Sequence, residues 1–85
     1  FNNHSLNSLI KYDNKNNSNL LETYVTYIES GNDSNITCDK LFIHRNTLLY
    51  RLRKVQSFTN KDIYDGKTQF KILLTYYLYK KYNLL

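Results

Sequence analysis

The feature that most constrains the fold of this chain is its lack of chain-breaking residues. There is no proline among the 85 residues, and glycine occurs only at Gly31 and Gly66. Proline and glycine are the strongest local signals for turns, so a chain nearly free of both has few tight turns. The sequence therefore predicts helices joined by short polar loops in one small domain.

Apolar residues at helical spacing predict four to five helices and no strand, which makes the expected fold class all-α. The main helices are expected to begin near residues 18, 33, 45 and 67, and a further short helix fits residues 6–10. The side chains expected to face the core are Leu21, Tyr24, Val25 and Ile28; Thr37, Cys38 and Leu41; Leu48, Leu52 and Val55; and Phe70, Leu73, Leu74, Tyr77 and Leu78.

Capping residues mark where these helices begin and end. Glu22 stands three residues after Asn19, as in a capping box, so the first main helix is expected to start at Ser18 or Asn19. Gly31 and Asn60 are expected to take the left-handed conformation that ends a helix.

The first 17 residues differ in composition from the rest. Residues 13–19 contain no apolar side chain and predict a loop. We therefore expect residues 1–17 to be an N-terminal linker with a short helix, and residues 18–85 to be the functional domain. The chain begins with Phe1 rather than methionine, which predicts a fragment of a longer protein.

Basic charge is concentrated in one short window. The chain has 12 basic and 7 acidic residues, a formal net charge of +5. Residues 40–54 hold no acid and every arginine of the chain, whereas most of the acids precede them. The basic residues of this window are Lys40, Arg45, Arg51, Arg53 and Lys54. This placement favours a polyanionic partner bound by one local element.

Several other classes of protein are disfavoured by the sequence. Cys38 is the only cysteine, so no internal disulfide and no cysteine-based metal site are expected. His44 and His4 have no ligand spacing to it. Asp39 and Cys38 are neighbours that face different directions of a helix, which argues against a catalytic set with His44. We expect no enzyme, cofactor or metal, no membrane span or signal peptide, and a cytoplasmic location.

Residues 33–57 have the pattern of a helix-turn-helix. Cys38 supplies a small residue where two helices cross closely, and Ile43 is placed to fill the gap between them. The following segment, 45–57, is a cationic amphipathic helix. In this motif the second helix lies in the major groove of DNA, with its first residues at the base edges.

The first residues of this helix have side chains that suit direct recognition. The planar guanidinium of Arg45 can bond both O6 and N7 of guanine, and Asn46 can recognise adenine or hold a phosphate. The Thr47 hydroxyl, together with the free N–H groups of the helix start, can bind one phosphate.

The remaining candidates extend along the same helix or border it. Tyr50, Arg53 and Lys54 are expected to face backbone phosphates. Leu49 fits either a thymine methyl or the edge of the core. His44 fits either a structural role at the helix start or a direct DNA contact.

The string at residues 41–52, Leu-Phe-Ile-His-Arg-Asn-Thr-Leu-Leu-Tyr-Arg-Leu, closely resembles the C-terminal DNA-binding domain of the PucR/CdaR family. These are bacterial regulators of purine and sugar-diacid catabolism. Similarity in residues 9–13, 20–29 and 58–63 extends the resemblance over most of the chain. The same turn and helix resemble, more loosely, those of the nucleoid protein Fis, which supports Arg45, Thr47 and Arg53 as DNA contacts.

The resemblance implies sequence-specific binding of double-stranded DNA by a transcriptional regulator whose effector binds a domain absent here. The chain departs from the family in having no alanine in residues 33–42, and in carrying Leu49 where many relatives have a polar residue. The alternative function is a helical protein-interaction module whose basic face meets an acidic partner. RNA binding is a weaker third interpretation, because no aromatic sheet platform is expected.

Two further expectations concern contacts within and between molecules. Arg51 lies beside the apolar stripe, so we expect it to bond Asp62 or Glu29, with a phosphate as the second choice. The last helix has more tyrosines than one core-facing side can use, which predicts an exposed aromatic strip and a homo-oligomer of the full-length protein. The candidate interface residues are Tyr76, Tyr79 and Tyr82.

Overall fold

The computed structural model of the chain describes residues 3–85. This part forms five helices and contains no strand. They are α1 (Asn3–Asn16), α2 (Leu20–Glu29), α3 (Ser34–Leu41), α4 (Arg45–Gln56) and α5 (Gly66–Lys81). The predicted all-α class is confirmed, and α2 to α5 begin within two residues of the predicted positions.

The core is built around α2, which packs against each of the other four helices. The buried apolar side chains are Leu6, Leu9, Leu20, Leu21, Tyr24, Val25, Tyr27, Leu48, Leu52, Val55, Ile63 and Ile72. The expected inner sides of α2 and α4 are confirmed, because their apolar residues recur on one side while charged residues occupy the other.

The N-terminal segment is not the linker that its composition predicts. Helix α1 continues to Asn16, so residues 13–16, expected as loop, are helical. Leu6 and Leu9 are only 1% and 0% exposed, so α1 contributes to the same core as α2 and α4. Of the polar residues that predicted a loop, Asn14, Lys15 and Asn16 are exposed, whereas Asp13 is half-buried and faces the start of α2. Residues 1 and 2 of the expected linker lie outside the described residues.

Helix α2 begins differently from the expected capping box. Asn19 occupies the N-cap position, but its side chain makes no capping hydrogen bond. Instead the carboxylate of Asp13, on α1, accepts hydrogen bonds from the backbone N–H groups of Leu20 and Leu21, both at 3.0 Å. A carboxylate from a neighbouring helix therefore satisfies the free donors at the start of α2.

Of the two expected left-handed caps, one is confirmed and one is wrong. Gly31 has a φ of 70°. Asn60 does not adopt positive φ; the loop after α4 is held by Gln56 instead. The Nε2 of Gln56 donates to the Lys61 carbonyl at 2.6 Å, and its Oε1 accepts from the Ile63 N–H at 3.1 Å.

Helix α5 lies with a different side toward the core from the one predicted. Its buried residues are Thr68, Gln69 and Ile72. Of the five side chains expected in the core only Leu73 packs against it, while Phe70, Leu74, Tyr77 and Leu78 are exposed. Apolar residues occur on most sides of this helix, so their spacing does not identify the inner one.

Candidate nucleic-acid interface

Helices α3 and α4 pack against each other and against α2. The carboxylate of Asp33 caps α3 by accepting from the Ile36 N–H at 3.0 Å. Thr37 is fully buried, and its hydroxyl donates to the Asp33 carbonyl at 2.7 Å. Cys38 carries a free thiol, is half-buried and packs against the core, as the crossing of two helices requires.

A three-residue turn, residues 42–44, separates the two helices. Phe42 ends α3 in the left-handed conformation, with φ 55° and ψ 47°, and the Ile43 N–H donates to the Cys38 carbonyl at 3.1 Å. The side chain of Ile43 packs against the core, which confirms its predicted position between the helices.

His44 occupies the N-cap position of α4, with its side chain exposed. The imidazole makes no capping hydrogen bond, so the structural role open to this side chain is not the capping of α4. The backbone of His44 does take part, since its carbonyl accepts from the Leu48 N–H at 3.1 Å.

Helix α4 has one wholly apolar side and one polar side. Leu48, Leu52 and Val55 are buried almost completely against the core. The opposite side bears the exposed residues Asn46, Tyr50, Arg53 and Ser57, and Arg45 is exposed at the helix start. We call Arg45, Asn46, Tyr50 and Arg53 the α4 surface.

The remaining predicted DNA contacts on α4 border this surface rather than lying at its centre. Thr47, Leu49 and Lys54 are half-buried. The ammonium of Lys54 lies 5.1 Å from the centre of the Tyr12 ring, a cation–π contact between α4 and α1. The Tyr12 ring in turn packs edge-on against Phe58 at 5.4 Å. Sequence spacing alone does not indicate this contact, because the composition of residues 1–17 predicts a linker there.

Arg51 fixes α4 against α2. Its Nη1 donates to the Thr23 hydroxyl oxygen at 3.0 Å, and that hydroxyl donates to the Asn19 carbonyl at 2.6 Å. The expected intramolecular role of Arg51 is confirmed, but the expected partners, Asp62 and Glu29, are wrong. Thr23 is fully buried on the inner side of α2, so it meets the guanidinium where the two helices cross.

The tyrosines of α5 divide between its two sides. Tyr76 and Tyr79 are half-buried and pack against the core, whereas Tyr82 is exposed. Tyr77 donates a hydrogen bond to the Glu29 carboxylate, which raises the pKa of Tyr77 above its ordinary value. The exposed apolar surface of this helix consists of Phe70, Leu74, Tyr77 and Leu78, which we call the α5 strip.

Within residues 3–85, no group of three or more His, Cys, Asp or Glu side chains is arranged to hold a metal ion. In the same range no helix has the length and apolar character needed to cross a membrane.

Two helices joined by a three-residue turn, the second with an arginine at its exposed start, define a helix-turn-helix domain. Residues 20–78 match the family model described as the PucR C-terminal helix-turn-helix domain, and the chain belongs to this family.

Three curated relatives from Bacillus subtilis align with most of this chain. The DNA-binding transcriptional activator AdeR is 36% identical over 85% of it, and the purine catabolism regulatory protein is 34% identical over 87%. The proline-responsive transcriptional activator PutR is 32% identical over 81%. The chain spans 14% to 17% of the length of these relatives. No solved structure matched the chain.

Proposed function

We propose that this chain binds duplex DNA sequence-specifically, with α4 as the recognition helix. The observation that carries the proposal is the division of α4 into a buried stripe and the α4 surface. Leu48, Leu52 and Val55 fix the helix to the core. Asn46, Tyr50 and Arg53 are then exposed on the opposite side, and Arg45 is exposed at the helix start. These side chains can bond to base edges and to phosphates.

Within this proposal each residue has a separate task. Arg45 recognises a guanine, and Asn46 recognises an adjacent base or holds a phosphate. Thr47 and the N–H groups of the first turn of α4 bind a phosphate, which the lack of a His44 cap leaves accessible. Tyr50 and Arg53 contact backbone phosphates, with Leu49, Lys54 and His44 at the margins.

The names of the relatives support a role in transcription. AdeR and PutR are described as transcriptional activators, and the third relative as a regulator of purine catabolism. We propose that the longer protein is a cytoplasmic bacterial regulator of catabolic genes, of the purine or sugar-diacid type. Its effector is expected to bind outside this domain.

The first experiment selects bound sequences from random duplexes and then compares two arginine variants. On the selected duplex Arg45→Ala should lose about 1–3 kcal/mol of binding free energy, and much less on random DNA. Arg53→Ala, a phosphate contact, should weaken binding to both duplexes about equally. Lys71→Ala removes an exposed cation from α5 and serves as the matched control, with no change expected.

The salt dependence tests the same surface. About three to five phosphate contacts should give a slope of roughly 0.9 per contact in a plot of log affinity against log salt. Lys54→Ala tests whether its ammonium adds to that slope despite the Tyr12 contact. Salt-independent binding, or no binding at low salt, would contradict the proposal and favour an acidic protein partner.

We further propose that two copies occupy adjacent half-sites, because one recognition helix reaches only a few base pairs. A two-fold dimer needs a self-complementary patch, and the α5 strip offers four exposed apolar side chains in one region. The proposed interface therefore lies on the outer side of α5 rather than at Tyr76 and Tyr79, which pack against the core. Tyr82 stays a candidate at the end of the helix.

Sedimentation tests this interface, with and without a duplex that carries two half-sites. Leu74→Glu/Leu78→Glu should abolish cooperative loading of the second copy, while Lys71→Glu on the same helix should not. Cooperativity that survives the double substitution would show that the strip is not the interface.

A further inference from the structure

Phe42 is the most exposed large apolar side chain of residues 3–85, with 94% of its surface open to solvent. It stands in the turn between α3 and α4, and its φ of 55° is in the left-handed region. Phe42 therefore combines a strained backbone conformation with an almost fully exposed aromatic ring.

The left-handed backbone of Phe42 ends α3, but its ring is not packed against the core. A left-handed residue after a helix is usually glycine, because a Cβ is crowded there. Phe42 has this unfavourable conformation, and its ring gains no stabilisation from packing, since it contacts no core residue. Residues held in such conformations are concentrated at functional sites, which makes the ring of Phe42 a candidate contact.

The surroundings of Phe42 favour nucleic acid as its partner. Consecutive Cα atoms are 3.8 Å apart, so the Cα atoms of Phe42 and Arg45 are separated by at most about 11 Å. Among residues 39–45, the exposed residues of basic type are Lys40, His44 and Arg45, and the exposed acidic residue is Asp39. A basic border suits a polyanion, and a helix start that enters the major groove brings the turn to the same groove.

We propose that Phe42 contacts the C5-methyl group of a thymine beside the base that Arg45 recognises. Thymine is the only base of DNA with a methyl group in the major groove, and apolar side chains recognise it by direct contact. The inference rests on the proposed DNA binding and adds a specificity-determining residue to it, at a position that the α4 surface does not include.

The test uses Phe42→Gly, because glycine relieves the strain and removes the ring together. The midpoint of thermal unfolding should rise by a few degrees, while affinity for the selected duplex should fall about tenfold or more. Phe42→Tyr keeps the ring and should keep the affinity. Leu84→Ala removes an exposed apolar side chain outside the α4 surface and the α5 strip, and it should leave DNA binding unchanged.

A second measurement identifies the contacted group. Deoxyuridine replaces each thymidine of the selected site in turn, which deletes only the C5-methyl. One replacement should weaken binding by the wild-type chain and have no effect on Phe42→Gly. If Arg45→Ala weakens binding but Phe42→Gly does not, the inference fails while the proposed function stands. A loss in Phe42→Gly without any deoxyuridine effect would also overturn the thymine contact, and a wild-type chain that binds no DNA would overturn both proposals.

Discussion

Helices α4 and α5 contain many of the same apolar residue types, yet they are attached to the domain in opposite ways. The inner side of α4 is a buried apolar stripe of Leu48, Leu52 and Val55, with Arg51 beside it. The buried residues of α5 are Thr68, Gln69 and Ile72, and Leu73, Tyr76 and Tyr79 are partly packed against the core. The apolar residues Phe70, Leu74, Tyr77 and Leu78 face outward. Helix α4 is thus held mainly by hydrophobic packing, whereas α5 also depends on hydrogen bonds of buried polar side chains, which we call its polar attachment.

The polar attachment of α5 consists of hydrogen bonds from Gln69 to the loop before α5 and to the loop that follows α2. The Nε2 of Gln69 donates to the Ile63 carbonyl at 3.1 Å and to the Asn32 side chain at 3.0 Å. The Tyr24 hydroxyl donates to the same Ile63 carbonyl at 2.8 Å. Buried polar groups must find partners, so these bonds select the side of α5 that faces inward.

The largest expected difference between the two helices is in their leucines. Leu52→Ala should lower the free energy of unfolding by about 2–5 kcal/mol, because it leaves a cavity in the core. Leu74→Ala, on a side chain that is 52% exposed, should change it by about 0.5 kcal/mol or less. Urea titration of the two variants measures both values, and similar losses would show that α5 packs as α4 does.

A smaller effect is expected from the polar attachment itself. Gln69→Ala should cost about 1–2 kcal/mol, because two hydrogen bonds of a buried side chain are lost. Amide hydrogen exchange should accelerate in α5 more than in α4. The control is Lys71→Ala, an exposed neighbour on α5. Uniform acceleration in both helices would mean that α5 does not open separately.

Tyr24→Phe should cost about 1 kcal/mol at neutral pH, since it removes one buried hydrogen bond. Burial, with the nearby carboxylates Asp62 and Asp65, raises the pKa of Tyr24 well above its ordinary value. The neutral phenol is thus favoured in the folded state, so its contribution is complete below about pH 10 and is lost as the pH rises beyond it. Stability measured from pH 8 to 11 should therefore fall more steeply in the wild type than in Tyr24→Phe. Parallel curves would contradict this.

The smallest effect is expected at the outer side of α5. Tyr77→Phe removes the hydrogen bond to Glu29, but both groups are exposed to water, which replaces the lost partner. The thermal midpoint should stay within the error of repeated measurements. A clear drop would show that this bond fixes α5 to α2 and would narrow the contrast between the two helices.

The buried side of α4 can be predicted from the sequence, whereas the buried side of α5 cannot. In α4 the apolar stripe is separated from charged residues, so spacing alone identified both the buried side and the exposed one. In α5 the orientation depends on Gln69 reaching a loop carbonyl, a contact made only in three dimensions. The partner of Arg51 was missed for the same reason, because Thr23 comes beside it through the packing of α2 on α4. The Asp13 cap likewise joins residues of two helices.

The carboxylate of Asp13 bears on where the smallest cooperative unit of this domain begins. The family match starts at residue 20, which is the first residue of α2. It therefore leaves out Asp13, whose carboxylate accepts from the first N–H groups of that helix. A chain cut there would lose the acceptor for Leu20 and Leu21, the cover of Leu6 and Leu9 over the core, and the aromatic ring under Lys54. The part of α1 that the family match leaves out therefore belongs to the core that positions α4.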